Sequence, residues 1–388
     1  MTTSGAGRSR VLSRDVVASA GGAAVYALSL AIASVALPLL ALRAGYSAAE
    51  VGVLTAVSAI AQLATRTVLA AVMRHWADWT LIAGAGVLLA LSNGLVSLSD
   101  SLVPFVVAQL LQGVSRACFW TGTQTHVVRG PATAAGALAT VNLVSSVGLL
   151  AGPVVAGVLS EQTPVLALTV AAGIAAVGVL PTFLLDRLPP FVPPADRPPG
   201  RLWRRPGVEI GCWGGVTAGA WRGLLSSYVP VALDAARQSA STIGVLVSVA
   251  NGAALVGSAV AARVAPRWSS RVVLGGMVVT GLTTALTAAL ASHLVLSAVV
   301  LAASGLAAGT LQVLSLAMAS DSVHPEERGE AIALSGTFRA AALFAAPLAV
   351  AGMVLVLPLA PAVAAVGVAM TVPALALRKR ATLTVVGS

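Results

Sequence analysis

The chain has 388 residues, 57% of them hydrophobic and only 9% charged, with a mean hydropathy of +0.93. A soluble domain carries about 25% charged residues, so little of the chain is left for one, and it reads as a membrane protein. The net charge of +10 sits on arginines placed singly or in short groups between apolar runs, with aromatics at 4%, which excludes a nucleic-acid partner and makes positive charge a marker of topology.

Apolar runs of about 20 residues recur nearly end to end, each long enough to cross a hydrocarbon core of about 30 Å, and such segments must satisfy their backbone as helices. The first, 16–42, follows Arg8, Arg10 and Arg14 and superficially resembles a signal peptide. Its apolar part exceeds the roughly 7–15 residues of a signal-peptide core, so an uncleaved first span is expected. Charges, prolines and turn residues cut the remainder into spans at 48–69, 80–99, 102–126, 134–159, 164–185, 207–231, 241–262, 272–291, 294–319, 331–355 and 358–377. The expectation is an all-α polytopic membrane protein of about 12 transmembrane helices.

With the N-terminus in the cytoplasm, the inner segments hold 17 of the 23 basic residues and the outer loops only Arg43 and Arg237. Arg66, Arg116, Arg222 and Arg339 fall inside spans. The positive-inside rule therefore places both termini in the cytoplasm of a multi-pass protein of the cytoplasmic membrane. Four acids, Glu50, Asp100, Glu161 and Asp234, fall in outer loops.

Residues 187–206 are rich in proline and arginine and read as a cytoplasmic linker between two pseudo-symmetric six-helix halves, 1–186 and 207–388. An offset of 192 positions lays Ser47–Leu54 over Ser239–Leu246, with Gly52 on Gly244, and also puts Trp76 on Trp268 and Gly113 on Gly305. Parallel repeats of this size are a transporter design with the site between them near the bilayer midplane. Cys118 and Cys212 lie inside spans without metal-ligand spacing, and the sole lysine is Lys379 with no P-loop around it, so no disulfide framework, metal, ATP site or other cofactor is expected.

In the fifth span, Gly148-Leu-Leu-Ala-Gly152-Pro153-Val-Val-Ala-Gly157 offers a smooth face for close helix approach and a proline that bends the helix. It resembles the Gly-x-x-x-Gly-Pro motif of major facilitator superfamily exporters, notably drug-proton antiporters. The chain is similar to that superfamily over its whole length, in span count, central loop and repeat, and His324-Pro-Glu-Glu-Arg-Gly-Glu330 resembles its loop after the tenth span. Between spans two and three the superfamily has Gly-x-x-x-Asp-Arg-x-Gly. Here Arg74 stands in place of the acid and His75 in place of the arginine, with Asp78 following, so a surviving charge lock would join Arg74 or His75 to Asp78. In the fourth span the superfamily's Arg-x-x-Gln-Gly becomes Gln109-Leu-Leu-Gln112-Gly113, with Arg116 seven residues on and on nearly the same face.

At about 1.5 Å per residue, Arg116 lies roughly 21 Å from Leu102 and 20 Å from Arg129, and Arg222 about 21 Å from Val208 and 18 Å from Asp234. Both are thus near mid-depth. Arg339 and Arg66 lie only about 12 Å from the inner ends of their spans, within reach of the interface by snorkelling. No acid is comparably deep. Glu209, the nearest and a weak candidate for proton coupling, is about 20 Å along the helix from Arg222.

The resemblance implies that Arg116 and Arg222 face a central cavity from opposite halves. Three resolutions are open for such charges: binding an anionic substrate, hydration in an open cavity, or donation to carbonyls and polar side chains such as Gln112, Gln124, Asn142 or Asn251. Trp120, Trp221 and Tyr26 are candidates for stacking surface around a solute, and Arg339 for a further substrate contact. The functional expectation is a monomeric secondary active transporter, not an enzyme, that works by alternating access among membrane lipids. It would export a small amphipathic or organic-anion molecule driven by protons. Organic-anion uptake or facilitated diffusion, and a non-transporting receptor or scaffold on the same fold, are the alternatives.

Overall fold

The computed structural model describes residues 14–73, 75–129, 134–190, 202–261, 263–264, 268–323 and 328–381. Six helices fill the first half: α1 (Arg14–Arg43), α2 (Ala48–Val72), α3 (Asp78–Leu98), α4 (Leu102–Val128), α5 (Ala134–Gln162) and α6 (Pro164–Val177). The second half holds α7 (Pro206–Leu225), α8 (Tyr228–Ala235), α9 (Ala240–Ala261), α10 (Ser269–Thr287), α11 (Leu294–Asp321), α12 (Arg328–Val354), α13 (Leu359–Ala369) and α14 (Val372–Ala381). Among the described residues, eleven helical segments are long and apolar enough to cross a membrane. The seventh predicted span, 207–231, is instead two helices in series, α7 and α8, which brings the crossings to twelve and both termini to one end. That end is called terminal below, and the other distal.

Local chemistry sets the helix ends. At the start of α2 the Ser47 hydroxyl accepts from the Glu50 backbone N–H at 3.3 Å while the Glu50 carboxylate accepts from the Ser47 N–H at 2.7 Å, a reciprocal cap. Thr163 caps α6, which begins on Pro164, where a missing N–H costs nothing. Proline also explains the three breaks that the apolar pattern does not show. Pro230, Pro373 and Pro181 lack the N–H that would bond to the carbonyls of Ser226, Ala369 and Val177, and at those places α7 gives way to α8, α13 to α14, and α6 to a 3-10 turn. At the first of these, the Ser227 hydroxyl donates to the Gly223 carbonyl, while the Arg222 carbonyl accepts from both the N–H and the hydroxyl of Ser226.

α1 packs on α5 and α6, α3 on α4 and α6, and α2 on α4; in the second half α11 packs on α9, α10 and α7, and α12 on α7. The equivalent positions of the repeat make equivalent contacts. A Cβ on Gly113 of α4 would meet the Ser58 backbone of α2, and one on Gly305 of α11 would meet the Ala250 backbone of α9. Gly52 and Gly244 both face across the halves, the first against the Tyr228 ring and the second against the Pro153 carbonyl. The halves meet through α2 with α12 and α5 with α9. Their distal ends are sealed by these glycine contacts, by the Ser241 N–H donating to Glu161 Oε1 at 2.9 Å, and deeper down by Ser248 Oγ donating to the Leu150 carbonyl at 2.8 Å.

Of the predicted linker, residues 191–201 lie outside the described residues, as do Arg74 and residues 324–327 of the loop after the tenth span.

Candidate functional site

Glycine spacing on two helices determines where the deep arginines meet. On α7, Gly215, Gly219 and Gly223 form a smooth stripe, and a Cβ there would meet Ser335, Arg339 and Leu343 of α12 in turn. This close approach lays Arg339 beside Arg222. In the first half Gly113 plays the same part, drawing the α2 face of Ser58 and Gln62 against α4. Arg66, one turn beyond Gln62 on that face, is thereby brought toward Arg116. Each half thus contributes one pair of arginines.

Measured along their helices from the distal ends, Arg116 is about 21 Å deep, Arg339 about 22 Å and Arg66 about 27 Å, while Arg222 sits three residues before α7 stops. The four charges act on one another: Arg222 feels Arg116 and Arg339, Arg339 feels Arg66 and Arg116, and Arg116 feels Arg66. No ion pair among the described residues involves any of them. Arg222 Nη1 donates to Asn251 Oδ1 at 2.6 Å, and Arg339 Nη2 makes a long bond of 3.4 Å to Gln312 Oε1. Arg66 Nε is buried without an acceptor, and so is the Nε2 of Gln112 on α4. Arg66 and Arg339 therefore do not snorkel to the terminal end, contrary to their reading from depth alone; they turn inward. Arg66, assigned by depth to the interface and not to a substrate contact, is thus the fourth member of the group.

Beneath the distal seal, α1, α2, α4 and α7 enclose a cavity of about 40 Å³ whose floor holds Gln109, Gln112, Arg116, Arg222, Ser58 and Ser226. This space suits a few water molecules and is an order of magnitude smaller than the roughly 300–1,000 Å³ of a drug-sized site.

The predicted aromatic residues serve packing. Tyr26 is buried, its ring stacked on Phe119 at 3.7 Å and edge-on to Trp120. Its hydroxyl lies 2.7 Å from Ser115 Oγ, which itself donates to the Ala85 carbonyl, so the Tyr26 O–H is the donor to Ser115. Trp120 completes this cluster, one turn from Arg116. Trp221 is a correction: it neighbours Arg222 in sequence, but successive helical residues point about 100° apart, and its indole N–H donates to Ser304 Oγ of α11 at 3.1 Å in the core. Gln124 and Asn142 are exposed and hold none of the arginines, whereas Asn251 does. Glu209, near the start of α7, lies at the terminal end and away from the cavity lining.

A second group of charges lies at the terminal end of the first half. His126 is fully buried, with Nε2 2.9 Å from Asp15 Oδ1 and Nδ1 3.3 Å from Asp78 Oδ2. Arg129 Nη1 donates to Asp78 Oδ2 at 3.2 Å and its Nη2 to the Pro189 carbonyl at 2.7 Å, and the Asp186 N–H donates to Asp15. Asp78 thus pairs with His126 of α4 and with Arg129 at its C-terminal cap, while Arg74, one of the two partners predicted for it, lies outside the described residues. His75 is exposed on the turn before α3.

The fifth-span motif divides its work. Gly148 and Gly152 lie against the α1 backbone near Ala24, Leu28 and Ile32, inside the first half. Gly157 and the Pro153 carbonyl instead meet α9 at Ala240, Ser241 and Gly244, so this end of the motif is part of the contact between halves.

A family model described as Major Facilitator Superfamily matches residues 20–347 and again 211–384. No curated relative matches the sequence. Among solved structures, the fold is similar to a mutant of the nucleoside transporter NupG, at 12% identity and a TM-score of 0.76, over 95% of this chain and 99% of that one. It is also similar to a bacterial homolog of the human lysosomal transporter Spinster in an inward-facing, occupied conformation, at 14% identity and a TM-score of 0.73, over 95% of this chain and 96% of that one. The unoccupied inward-facing form of that homolog gives 13% identity and a TM-score of 0.69, over 95% of each chain.

Proposed function

The chain belongs to the Major Facilitator Superfamily, and from that membership we propose that it is a secondary transporter that carries a small organic anion by alternating access. The observation that carries this reading is the group Arg66, Arg116, Arg222 and Arg339, which is near mid-depth, mutually repulsive and without an ion pair among the described residues. Charge at this depth is costly unless a cavity, partner or ligand compensates it. An anion that enters between the halves meets Arg116 and Arg222 in the cavity lining, with Gln112 as a further donor and the field of Arg339 and Arg66 behind them. Hydrophobic lining above the arginines, from Leu30, Leu37, Leu54 and Phe105, suits an amphipathic carbon skeleton.

The direction proposed is export, on the motif from Gly148 to Gly157. The driving ion proposed is the proton, with Glu209 and the buried His126 at the terminal end as the groups available to carry it. The protein works as a monomer in the cytoplasmic membrane, its terminal end in the cytoplasm, where 17 of the 23 basic residues would then lie. Uptake of the same anion is the second reading, favoured by the positive field of the four arginines on an incoming anion.

Flux of radiolabelled organic anions into proteoliposomes tests the reading. Transport is expected from the intact protein and not from Arg116→Gln or Arg222→Gln. A flux that ignores an imposed pH gradient removes the proton, and accumulation only in right-side-out vesicles removes export.

A further inference from the structure

We propose that the cargo is a dianion, a phosphate monoester or a dicarboxylate, gripped by one arginine pair from each half, with Arg66 as a binding residue. This rests on the anion-transport reading above and adds the valence of the ligand and the order in which it is engaged.

Each half contributes two guanidiniums, Arg116 and Arg222 in the cavity lining with Arg339 and Arg66 beside or deeper than them, and no acid among the described residues pairs with any of them. A single carboxylate has two oxygens and one charge, so a monoanion serves one pair and leaves the other desolvated and uncompensated, which the low dielectric of the bundle penalises. A dianion places one charge against each pair. Guanidiniums present planar forks that match carboxylate and phosphate oxygens, so two pairs facing one ligand select acceptor-rich groups of that shape.

The pairs are not equally ready. In the second half, Arg222 is held by Asn251 and Arg339 reaches Gln312, so each already has a side-chain amide oxygen. In the first half Arg66 Nε and Gln112 Nε2 are buried donors with no acceptor. The unsatisfied donors make the first half the docking side. Arg222 and Arg339 then exchange their amide acceptors for the second anionic group, and that exchange draws the second half onto the ligand.

The full-length protein in lipid nanodiscs can be tested with two matched series at pH 8: succinate, monomethyl succinate and succinamide, and phenyl phosphate, methyl phenyl phosphate and phenol. Binding is read by calorimetry and thermal shift. The expected result is that at least one dianion binds about tenfold or more tighter than the monoanion on its skeleton, the worth of one charge-assisted contact. The series that responds separates phosphate from dicarboxylate. Arg66→Gln is expected to bring that ratio within about twofold, and Arg66→Lys to retain most of it. Equal binding of dianion and monoanion overturns the dianion inference and leaves anion transport standing. Equal binding of the neutral compound overturns the anion reading itself, and no binding by any member sinks both. A ratio unchanged in Arg66→Gln removes Arg66 from the site.

Discussion

Helix α4 contributes to two buried charge groups among the described residues, and they are built on opposite principles. At the terminal end, His126 and Arg129 meet Asp15 and Asp78, so two basic groups face two acids within 3.3 Å and the ensemble closes on itself. About 15 Å away along the same helix, Arg116 joins three other arginines and no acid among the described residues. The first arrangement is balanced in charge without a ligand, although His126 Nδ1 makes no hydrogen bond, and its backbone partners, the Asp186 N–H and the Pro189 carbonyl, tie the chain leaving the first half to α1 and α4. The second is incomplete without one. Balanced buried charge holds a fold in place, and unbalanced buried charge marks where something else is to bind.

Substitutions at each end can break that contrast. The largest effect is expected from Asp78→Ala, which leaves His126 with Asp15 alone and takes from Arg129 its carboxylate partner. Breaking a buried pair costs about 3–5 kcal/mol, here nearer 3 because Arg129 keeps 21% of its side chain exposed to solvent. Thermal unfolding in detergent would show the loss. Arg116→Gln is expected to do the reverse, with stability unchanged or higher because repulsion among the arginines falls, and anion affinity weaker by about 1.5–3 kcal/mol, roughly ten- to a hundredfold. If both variants lower the melting temperature alike, the two groups are both structural and the contrast is lost.

Gly157→Leu sharpens the comparison from outside either charge group. It overpacks the contact with Ala240 and Gly244 by an expected 1–3 kcal/mol. Flux should fall while equilibrium binding of an anion from the terminal side persists, because the seal and not the site is disturbed. Smallest of all is Tyr228→Phe. The Tyr228 hydroxyl is buried against Gly52 without a hydrogen-bond partner, so its removal should raise stability by about 1 kcal/mol. A large loss there would mean that buried changes in general, and not charge balance, set the stability of this bundle.

The twelve crossings and the repeat are readable in the sequence because apolar length and glycine position are local properties. So are Arg116 and Arg222, each a charge set in the middle of an apolar run. Arg66 and Arg339 are misplaced by the same arithmetic, since distance from a span's end says how deep a residue is and nothing about which way it turns. That direction depends on Gly113 and Gly219, whose partners lie on other helices. His126 illustrates a stronger limit: its two acids are 111 and 48 residues away, and no spacing rule links them. Trp221 fails for the opposite reason, as adjacency in sequence is read as a shared face. The breaks at Pro230 and Pro373 could have been seen, for each proline withholds one specific backbone donor within an otherwise continuous apolar run.

The contact of Gly157 with α9 also sets a lever ratio. Gly157 lies about 35 Å from the terminal start of α5, and Arg116 and Arg339 lie about 14 Å below it, at 1.5 Å per residue. With this contact as fulcrum, a parting of about 9 Å at the terminal end separates Arg116 from Arg339 by only about 4 Å. Charge-assisted hydrogen bonds of about 2.8 Å do not survive that much stretch, so the movement that opens a doorway one molecule wide also releases one side of whatever the four arginines hold.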